Sequence, residues 1–277
     1  MCLEVLDKRE DNYHNLKSVF QKINLYDEIF IEKNNTDKIE LVSNIDSLNN
    51  EDNIIYKTYL YLKEKHNISG VNVILNKNIP MQAGLGGGST DCASFIIGIN
   101  KLFNLELSKH EMEYIGKKMG ADVVPCFYNK AVLAEEIGNK ITTINTNFKY
   151  YIVIVKPDMY CNTKEMFDLL DQRSRVKRLD LSNEIIKGLE LNNIKLIADS
   201  LYNSFEDVQI ESKLIQKIKK EFIKCGAIGS SLTGSGSCVY GIFNSKQIAK
   251  KAFDKLKNNY QTFICTSYNL KRSGDFD

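Results

Sequence analysis

The sequence is poor in histidine, with three, and in proline, with three, and its net charge is only +2. Its seven cysteines (Cys2, Cys92, Cys126, Cys161, Cys225, Cys238 and Cys265) are scattered, odd in number and never two residues apart from a partner. That pattern argues against a disulfide framework and against a zinc site, and it fits reduced thiols in a cytoplasmic setting. No apolar run approaches the ~20 residues that span a bilayer. Met1 to Arg9 lacks a basic start followed by an apolar core, so neither a membrane partner nor a secretory leader is expected. Nucleic-acid binders concentrate a basic face. The nearest candidate here, Lys246 to Lys257, has the spacing of a solvated helix face, so no nucleic-acid partner is expected.

What is present suits a globular protein. A length of 277 residues, 43% hydrophobic and 26% charged, accommodates two domains. Order along the chain places them at 1–145 and 146–277. Short β-branched runs at Ile29–Glu32, Ile39–Val42 and Val71–Leu75 read as strands. Ile54 to Lys65 sets Ile54, Ile55, Tyr59 and Leu62 on one helical face. Asp91–Phe103 reads as a buried helix, and Lys109–Met119 as a surface helix closed by a left-handed Gly120. A buried strand over Tyr151–Val155 ends at Pro157. Helical patterns follow at Thr163–Leu170, Ser182–Glu190, Asn193–Leu201, Glu211–Cys225 and Gln247–Asn258, with strands at Cys238–Phe243 and Thr262–Asn269. Strands and helices interleave without a βαβ rhythm, which points to an α+β fold.

The sharpest feature is the run Pro80, Met81, Gln82, Ala83, Gly84, Leu85, Gly86, Gly87, Gly88, Ser89, Thr90, lying between a strand and a helix. Four glycines within five residues let backbone amides turn inward without Cβ clashes. The positive end of the following helix favours an anion, and the hydroxyls of Ser89 and Thr90 add donors or oxygen ligands for magnesium. The Gly-Lys-Ser/Thr ending of a P-loop is absent, and the G-x-G-x-x-G fingerprint fails at its last glycine. The run reads as a phosphate cradle of another type.

Other residues are ambiguous alone. Asp122 follows Gly120 among apolar neighbours, which suits a helix cap or a functional carboxylate. Pro125 restrains Val124 toward extended backbone. Phe20 and Phe167 read as core by themselves, and Tyr13-His14 sits in a polar stretch. Gly234-Ser235-Gly236 precedes a strand and marks a turn.

Taken together, these segments resemble the motifs of the GHMP kinases, named for galactokinase, homoserine, mevalonate and phosphomevalonate kinases. Pro80 to Thr90 is similar to their ATP-binding motif. Asp11-Asn12-Tyr13-His14-Asn15-Leu16, Gly120-Ala121-Asp122-Val123 and Thr233-Gly234-Ser235-Gly236-Ser237 extend the likeness over almost the whole chain. The triple glycine and the Tyr-His pair resemble the branch that phosphorylates cytidine-diphosphate-linked methylerythritol in the non-mevalonate isoprenoid route.

The resemblance implies a ribosomal protein S5 domain 2-like N-terminal domain and a ferredoxin-like C-terminal domain. It implies ATP and Mg2+, with Asp122 as the base on the acceptor hydroxyl. Tyr13 would stack on the cytosine, His14 would bond the base, Phe167 would close its other side, and Phe20 would lie near the methylerythritol end. Gly234, Ser235 and Gly236 would approach the phosphates. A monomer or weak homodimer is expected. The family's Ala-Lys-x-Asn segment would fall ahead of Met1, and Lys8, expected in the turn after the first strand, is no replacement for its lysine. Two alternatives stand beside the main one: a GHMP kinase for another small alcohol (mevalonate, homoserine or a sugar), or, because that lysine segment is absent, a catalytically impaired nucleotide-binding protein.

Overall fold

A computed structural model describes residues 1–172, 180–208, 213–268 and 276. In chain order the elements begin with β1 (Cys2–Lys8), β2 (His14–Phe20), β3 (Glu28–Lys33), β4 (Ile39–Ser43), α1 (Ile54–His66) and β5 (Val71–Asn76). Next come α2 (Gly87–Phe103), α3 (Lys109–Met119), α4 (Val123–Cys126), β6 (Val132–Glu136), β7 (Lys140–Thr143) and β8 (Tyr151–Lys156). The remainder carries α5 (Thr163–Asp171), α6 (Leu181–Glu190), α7 (Ile194–Asp199), β9 (Tyr202–Asn203), α8 (Ser204–Val208) and α9 (Lys213–Lys224). It ends with β10 (Gly229–Leu232), β11 (Val239–Phe243), α10 (Lys246–Leu256) and β12 (Gln261–Thr266). Packing groups the described residues into two units. The first comprises Met1–Asn24, Gln82–Leu85 and 130–268; the second comprises Leu25–Met81, Gly86–Asn129 and Phe276.

The first unit holds a five-stranded sheet of order β7-β6-β2-β1-β9 and a four-stranded sheet of order β10-β11-β8-β12. β8 is paired on both edges by antiparallel neighbours. All of Ile152 to Val155 is buried, which is why this strand reads as a continuous apolar run rather than an alternating one. The amphipathic helix α9 repeats its apolar residues at helical spacing. Ile215, Ile218 and Phe222 join Ala249, Ala252 and Leu256 of α10 in one core with Val153, Val155, Val239 and Phe243. Each fully buried Val, Ile, Leu or Phe among them contributes about 1.5–3 kcal/mol. An antiparallel sheet carrying these helices is the ferredoxin-like layer.

The second unit is built on a mixed sheet of order β3-β5-β4, in which β3 runs antiparallel and β4 parallel to β5. Val71, Val73 and Leu75 point into the core while Ile74 is exposed, the alternation of a one-face strand. Cys92, Ala93, Phe95, Ile96 and Ile99 form the buried stripe of α2. Asn53 caps α1 by accepting from Ile55 N at 2.9 Å. Ser108 and Glu111 form a reciprocal capping box on α3, satisfying two otherwise orphaned donors.

The sequence readings of β3, β4, β5, β8, α1, α3, α5 and α6 agree with the structure to within two residues. Others need correction. The helix after the glycine run begins at Gly87 rather than Asp91, because Gly86 in the left-handed region turns the chain straight into it. Gly120 has φ 174° and ψ 149° and is therefore extended, not left-handed. Val124 is helical within α4, since Pro125 sits in the first turn, where a missing N–H costs nothing. Lys8 ends β1 instead of lying in the following turn. The helix read from Asn193 to Leu201 is shorter, with Asn193 capping Leu196 N at 3.1 Å. Glu211 and Asn269, the expected ends of one helix and one strand, lie outside the described residues.

Candidate active site

The glycine run passes from the second unit through the first and back, so its parts are held by different neighbours. In the first unit, Gln82 and Gly84 adopt φ of +53° and +69°. Thr233 Oγ1 donates to the Gly84 carbonyl at 2.8 Å, and Cys238 N donates to the Ala83 carbonyl at 3.3 Å. A Cβ on Gly84 would lie 2.0 Å from the Thr233 carbonyl oxygen, and one on Gly234 would lie 2.8 Å from the Gly84 carbonyl oxygen. Two glycine turns remote in sequence therefore touch backbone to backbone, which no other residue type permits. Asn203 Nδ2 steadies the second turn by donating to the carbonyls of Gly234 at 2.8 Å and Leu232 at 3.1 Å. Ser235 Oγ shares a hydrogen bond with Thr163 Oγ1 at 2.8 Å.

In the second unit, Gly86 is the N-cap of α2, with φ +67° and no side chain capping the first turn. A Cβ on Gly86 or Gly88 would meet nothing within 4 Å. Uncapped amides of a first turn, beside glycines with open space around them and reinforced by the helix dipole, suit a phosphate. Ser89 and Thr90 follow in the same turn. Thr90 Oγ1 donates to Cys126 Sγ at 3.4 Å, and Cys126 Sγ donates to the Asp122 carbonyl at 3.2 Å, tying α4 to the start of α2.

Asp122 occupies the N-cap position of α4, but its side chain makes no capping bond. The carboxylate is thus left available. It keeps an exposed surface, yet the protein around it desolvates the charge and raises its pKa above the ordinary carboxylate value. A carboxyl shifted upward is better matched to taking a proton near neutrality.

A third group gathers where β2 begins. His14 is buried and its Nε2 meets Asp171 Oδ1 at 2.7 Å, while Lys8 Nζ meets Asp171 Oδ2 at 2.5 Å. The Lys8 hydrogen bond holds the Asp171 carboxyl below its usual pKa against the opposing effect of desolvation, and His14 adds to the lowering. Phe167 lies parallel to the His14 ring, with centroids 5.0 Å apart and planes 16° apart, and its edge meets Phe205. Tyr13 is 60% exposed and precedes the strand. A planar base bonded in the plane of the imidazole would run parallel to Phe167 as well. Phe20 ends the same strand and pairs with Val132 of β6. It stands six residues from His14, roughly 20 Å along an extended chain, and does not join the His14–Phe167 group.

Sequence reasoning missed Asp171, Lys8 as its partner, Thr233 Oγ1 and Asn203, because each acts across a long separation. It also missed a buried ion triad in the second unit. Lys77 Nζ meets Asp91 Oδ2 at 2.7 Å and also donates to Asp27. Burial raises the Asp91 carboxyl pKa, with Lys77 opposing the rise. Among the described residues no group of His, Cys, Asp and Glu is arranged to hold a metal, and no helix is long and apolar enough to cross a membrane.

Comparison with known proteins places this geometry in context. Residues 53–130 match the family described as GHMP kinases N terminal domain, and residues 185–262 match the one described as GHMP kinases C terminal. The chain is 39% identical over 269 residues to a 4-diphosphocytidyl-2-C-methyl-D-erythritol kinase of Clostridium botulinum (strain Alaska E43 / Type E3), covering 96% of this chain and 95% of the relative. A protein of the same name from Clostridium tetani is 37% identical over 263 residues, covering 94% and 93%. A crystal structure of 4-(cytidine 5'-diphospho)-2C-methyl-D-erythritol kinase superposes with a TM-score of 0.81 at 22% identity, covering 97% of this chain and 96% of that one. Mevalonate kinase of L. major, in complex with R-mevalonate, superposes with a TM-score of 0.74 at 14% identity, covering 92% and 90%. At such identities these two structures share the fold.

Proposed function

The chain belongs to the GHMP kinase family, and from that premise we propose that it transfers the γ-phosphoryl of ATP to a hydroxyl of 4-diphosphocytidyl-2-C-methyl-D-erythritol. Near-full-length kinship with kinases of that name supports the substrate. The observation that carries the reading in this chain is the His14 ring, bonded to Asp171 and parallel to Phe167. Mevalonate, homoserine and galactose have no planar base to use such a feature.

In this proposal Pro80 to Thr90 cradles the ATP phosphates, with Gly234, Ser235 and Gly236 steadying the loop and facing the phosphates. Phosphoryl transfer needs mainly positioning and charge neutralisation. Magnesium would neutralise phosphate charge. The hydroxyls of Ser89 and Thr90 are the hard oxygen donors that suit it, with the remaining ligands coming from nucleotide and water. Asp122 accepts the proton of the acceptor hydroxyl. Tyr13, His14 and Phe167 hold the cytosine, and Phe20 lies toward the methylerythritol end. We also propose the division into domains at 1–145 and 146–277, a cytoplasmic setting, and a monomer or weak homodimer. The two family matches at 53–130 and 185–262 support that order of domains. Packing instead groups Met1–Asn24 with the later residues.

A coupled ADP-release assay with ATP, Mg2+ and the diphosphocytidyl substrate tests the reading. Turnover with this acceptor, competitively inhibited by CMP and absent with mevalonate, homoserine or galactose, is expected. Turnover with one of those alcohols and none with the diphosphocytidyl substrate would overturn it. ATP binding without any turnover would move the chain to the class of impaired nucleotide binders.

A further inference from the structure

Lys77, Asp27 and Asp91 are the most deeply buried ionic group among the described residues. Their side chains are 5%, 2% and 5% exposed. Asp27 Oδ1 accepts from two successive backbone amides, Asn78 N at 2.6 Å and Ile79 N at 2.8 Å, while its Oδ2 accepts from Lys77 Nζ. Lys77 Nζ then reaches Asp91 Oδ2 at 2.7 Å, in the second turn of α2. The backbone of Lys77 is itself fixed on both sides by Asn44, which accepts from Lys77 N at 2.7 Å and donates to Lys77 O at 3.1 Å. A Cβ on Gly87 would lie 3.3 Å from the ammonium and 3.1 Å from Ile79 Cγ2, so the cation sits directly against the first residue of α2.

Such a group is costly to bury, and apolar side chains of similar volume would stabilise the fold at least as well. What an ion triad supplies in place of stability is a fixed geometry. Here it ties both ends of the glycine run: residues 77–79 lead into Pro80, and Asp91 lies just beyond Thr90. At residues 86–88 the run has little means of holding itself, since these glycines contribute no side-chain contacts and the first turn of α2 is uncapped.

We propose that Asp27, Lys77 and Asp91 are positioning residues for phosphoryl transfer, clamping the exit of β5 to the start of α2 so that the amides of Gly87 to Ser89 are aimed at the nucleotide phosphates. None of the three needs to touch the nucleotide. This rests on the reading of α2 as the phosphate-binding helix.

The test compares wild type, Lys77→Met, Asp91→Asn and the double variant Lys77→Met/Asp91→Leu, which leaves no unpaired ammonium or α2 carboxylate behind. AMP-PNP with Mg2+ is titrated by calorimetry, KM is measured separately for ATP and for the diphosphocytidyl substrate, and amide exchange is followed over residues 80–91. Displacements of about 1 Å at a reacting group cost on the order of 100-fold, so a rise of about tenfold or more in the AMP-PNP Kd and the ATP KM is expected. The other KM should be unchanged, and exchange should quicken at Thr90, whose amide donates to the Gly86 carbonyl at 2.9 Å, but not in the later turns of α2. Asp91→Asn, which keeps a hydrogen-bond acceptor for Lys77, should show the same pattern more weakly. A folded double variant with wild-type AMP-PNP affinity and exchange would overturn the inference. So would equal losses toward both substrates with a binding stoichiometry below one, which is what a merely structural group produces. If wild type itself fails to bind AMP-PNP, the phosphate-helix reading falls and the inference falls with it.

Discussion

Replacing Gly84 by alanine separates a loop that merely contains glycine from one that requires it. At φ +69° an alanine pays about 1–2 kcal/mol for left-handed backbone. Its Cβ would start 2.0 Å from the Thr233 carbonyl oxygen, where real Cβ contacts stay beyond 3.0 Å, so one turn must retreat by at least about 1 Å. Overpacking of that kind adds about 1–3 kcal/mol. The hydrogen bond from Thr233 Oγ1 to the Gly84 carbonyl is strained by the same movement. The expected loss of stability is about 2–5 kcal/mol, part of the ~5–15 kcal/mol available to a domain, so the variant should still fold at 25 °C. Its kcat/KM for ATP should fall by about 100-fold, the usual consequence of a 1 Å misplacement. Urea denaturation and the coupled ADP-release assay read the two effects. Gly88→Ala is the matched control. Nothing lies within 4 Å of its Cβ, and it replaces glycine in the first turn of a helix, so it should stabilise the fold by up to about 1 kcal/mol while raising the ATP KM. A Gly84→Ala protein with an unshifted urea midpoint and wild-type kcat/KM would refute the backbone-contact argument.

The other expectations concern the charged and aromatic residues. Asp122→Asn should lower kcat by about 10²–10⁴ with little change in the ATP KM. It should also raise the melting temperature at neutral pH. The native pKa is raised, so the carboxylate costs stability as pH climbs from the ordinary aspartate value to the shifted one, and asparagine removes that cost. Equal kcat in variant and wild type would remove Asp122 from the chemistry. Phe167→Ala should weaken CMP binding by about 1–3 kcal/mol, the contribution of one base–aromatic stack, with AMP-PNP binding unaffected; loss of both would point to collapse around Phe205. Asp171→Asn should raise KM for the diphosphocytidyl substrate alone. Because the native pKa of Asp171 is lowered, its stabilising effect, below about 1 kcal/mol for so accessible a group, is present above about pH 4. That effect should disappear as pH falls through the depressed value, so urea midpoints of wild type and variant should converge in acid.

The parts of the site legible in the sequence are those written locally. A strand, a glycine run and a helix sit within some thirty residues of Val71. The conformational freedom of glycine and the field at a helix start are properties of that short stretch. The strands of the second unit and β8 were equally legible, since burial on one face or two leaves a period of two or none. β6, β7 and β10 went unread because their residues mix small, polar and charged side chains, and only pairing, of β6 with β2, β7 with β6 and β10 with β11, makes them strands.

The same distinction explains which functional residues stayed hidden. Asp171 is 157 residues from His14, and Asp27 is 50 from Lys77. Seen in sequence, each is one of 35 acidic residues in a chain of nearly balanced charge, where a solvated face is the ordinary meaning of a carboxylate. Burial changes that meaning, because a carboxylate 2% exposed must have partners, and the partners identify its purpose. Asp27 spends its acceptors on Asn78 N, Ile79 N and Lys77 Nζ, all within the three residues that lead into Pro80. The glycine run announces where a phosphate would bind. The acidic residues that hold it in register become visible only when the chain has folded around them.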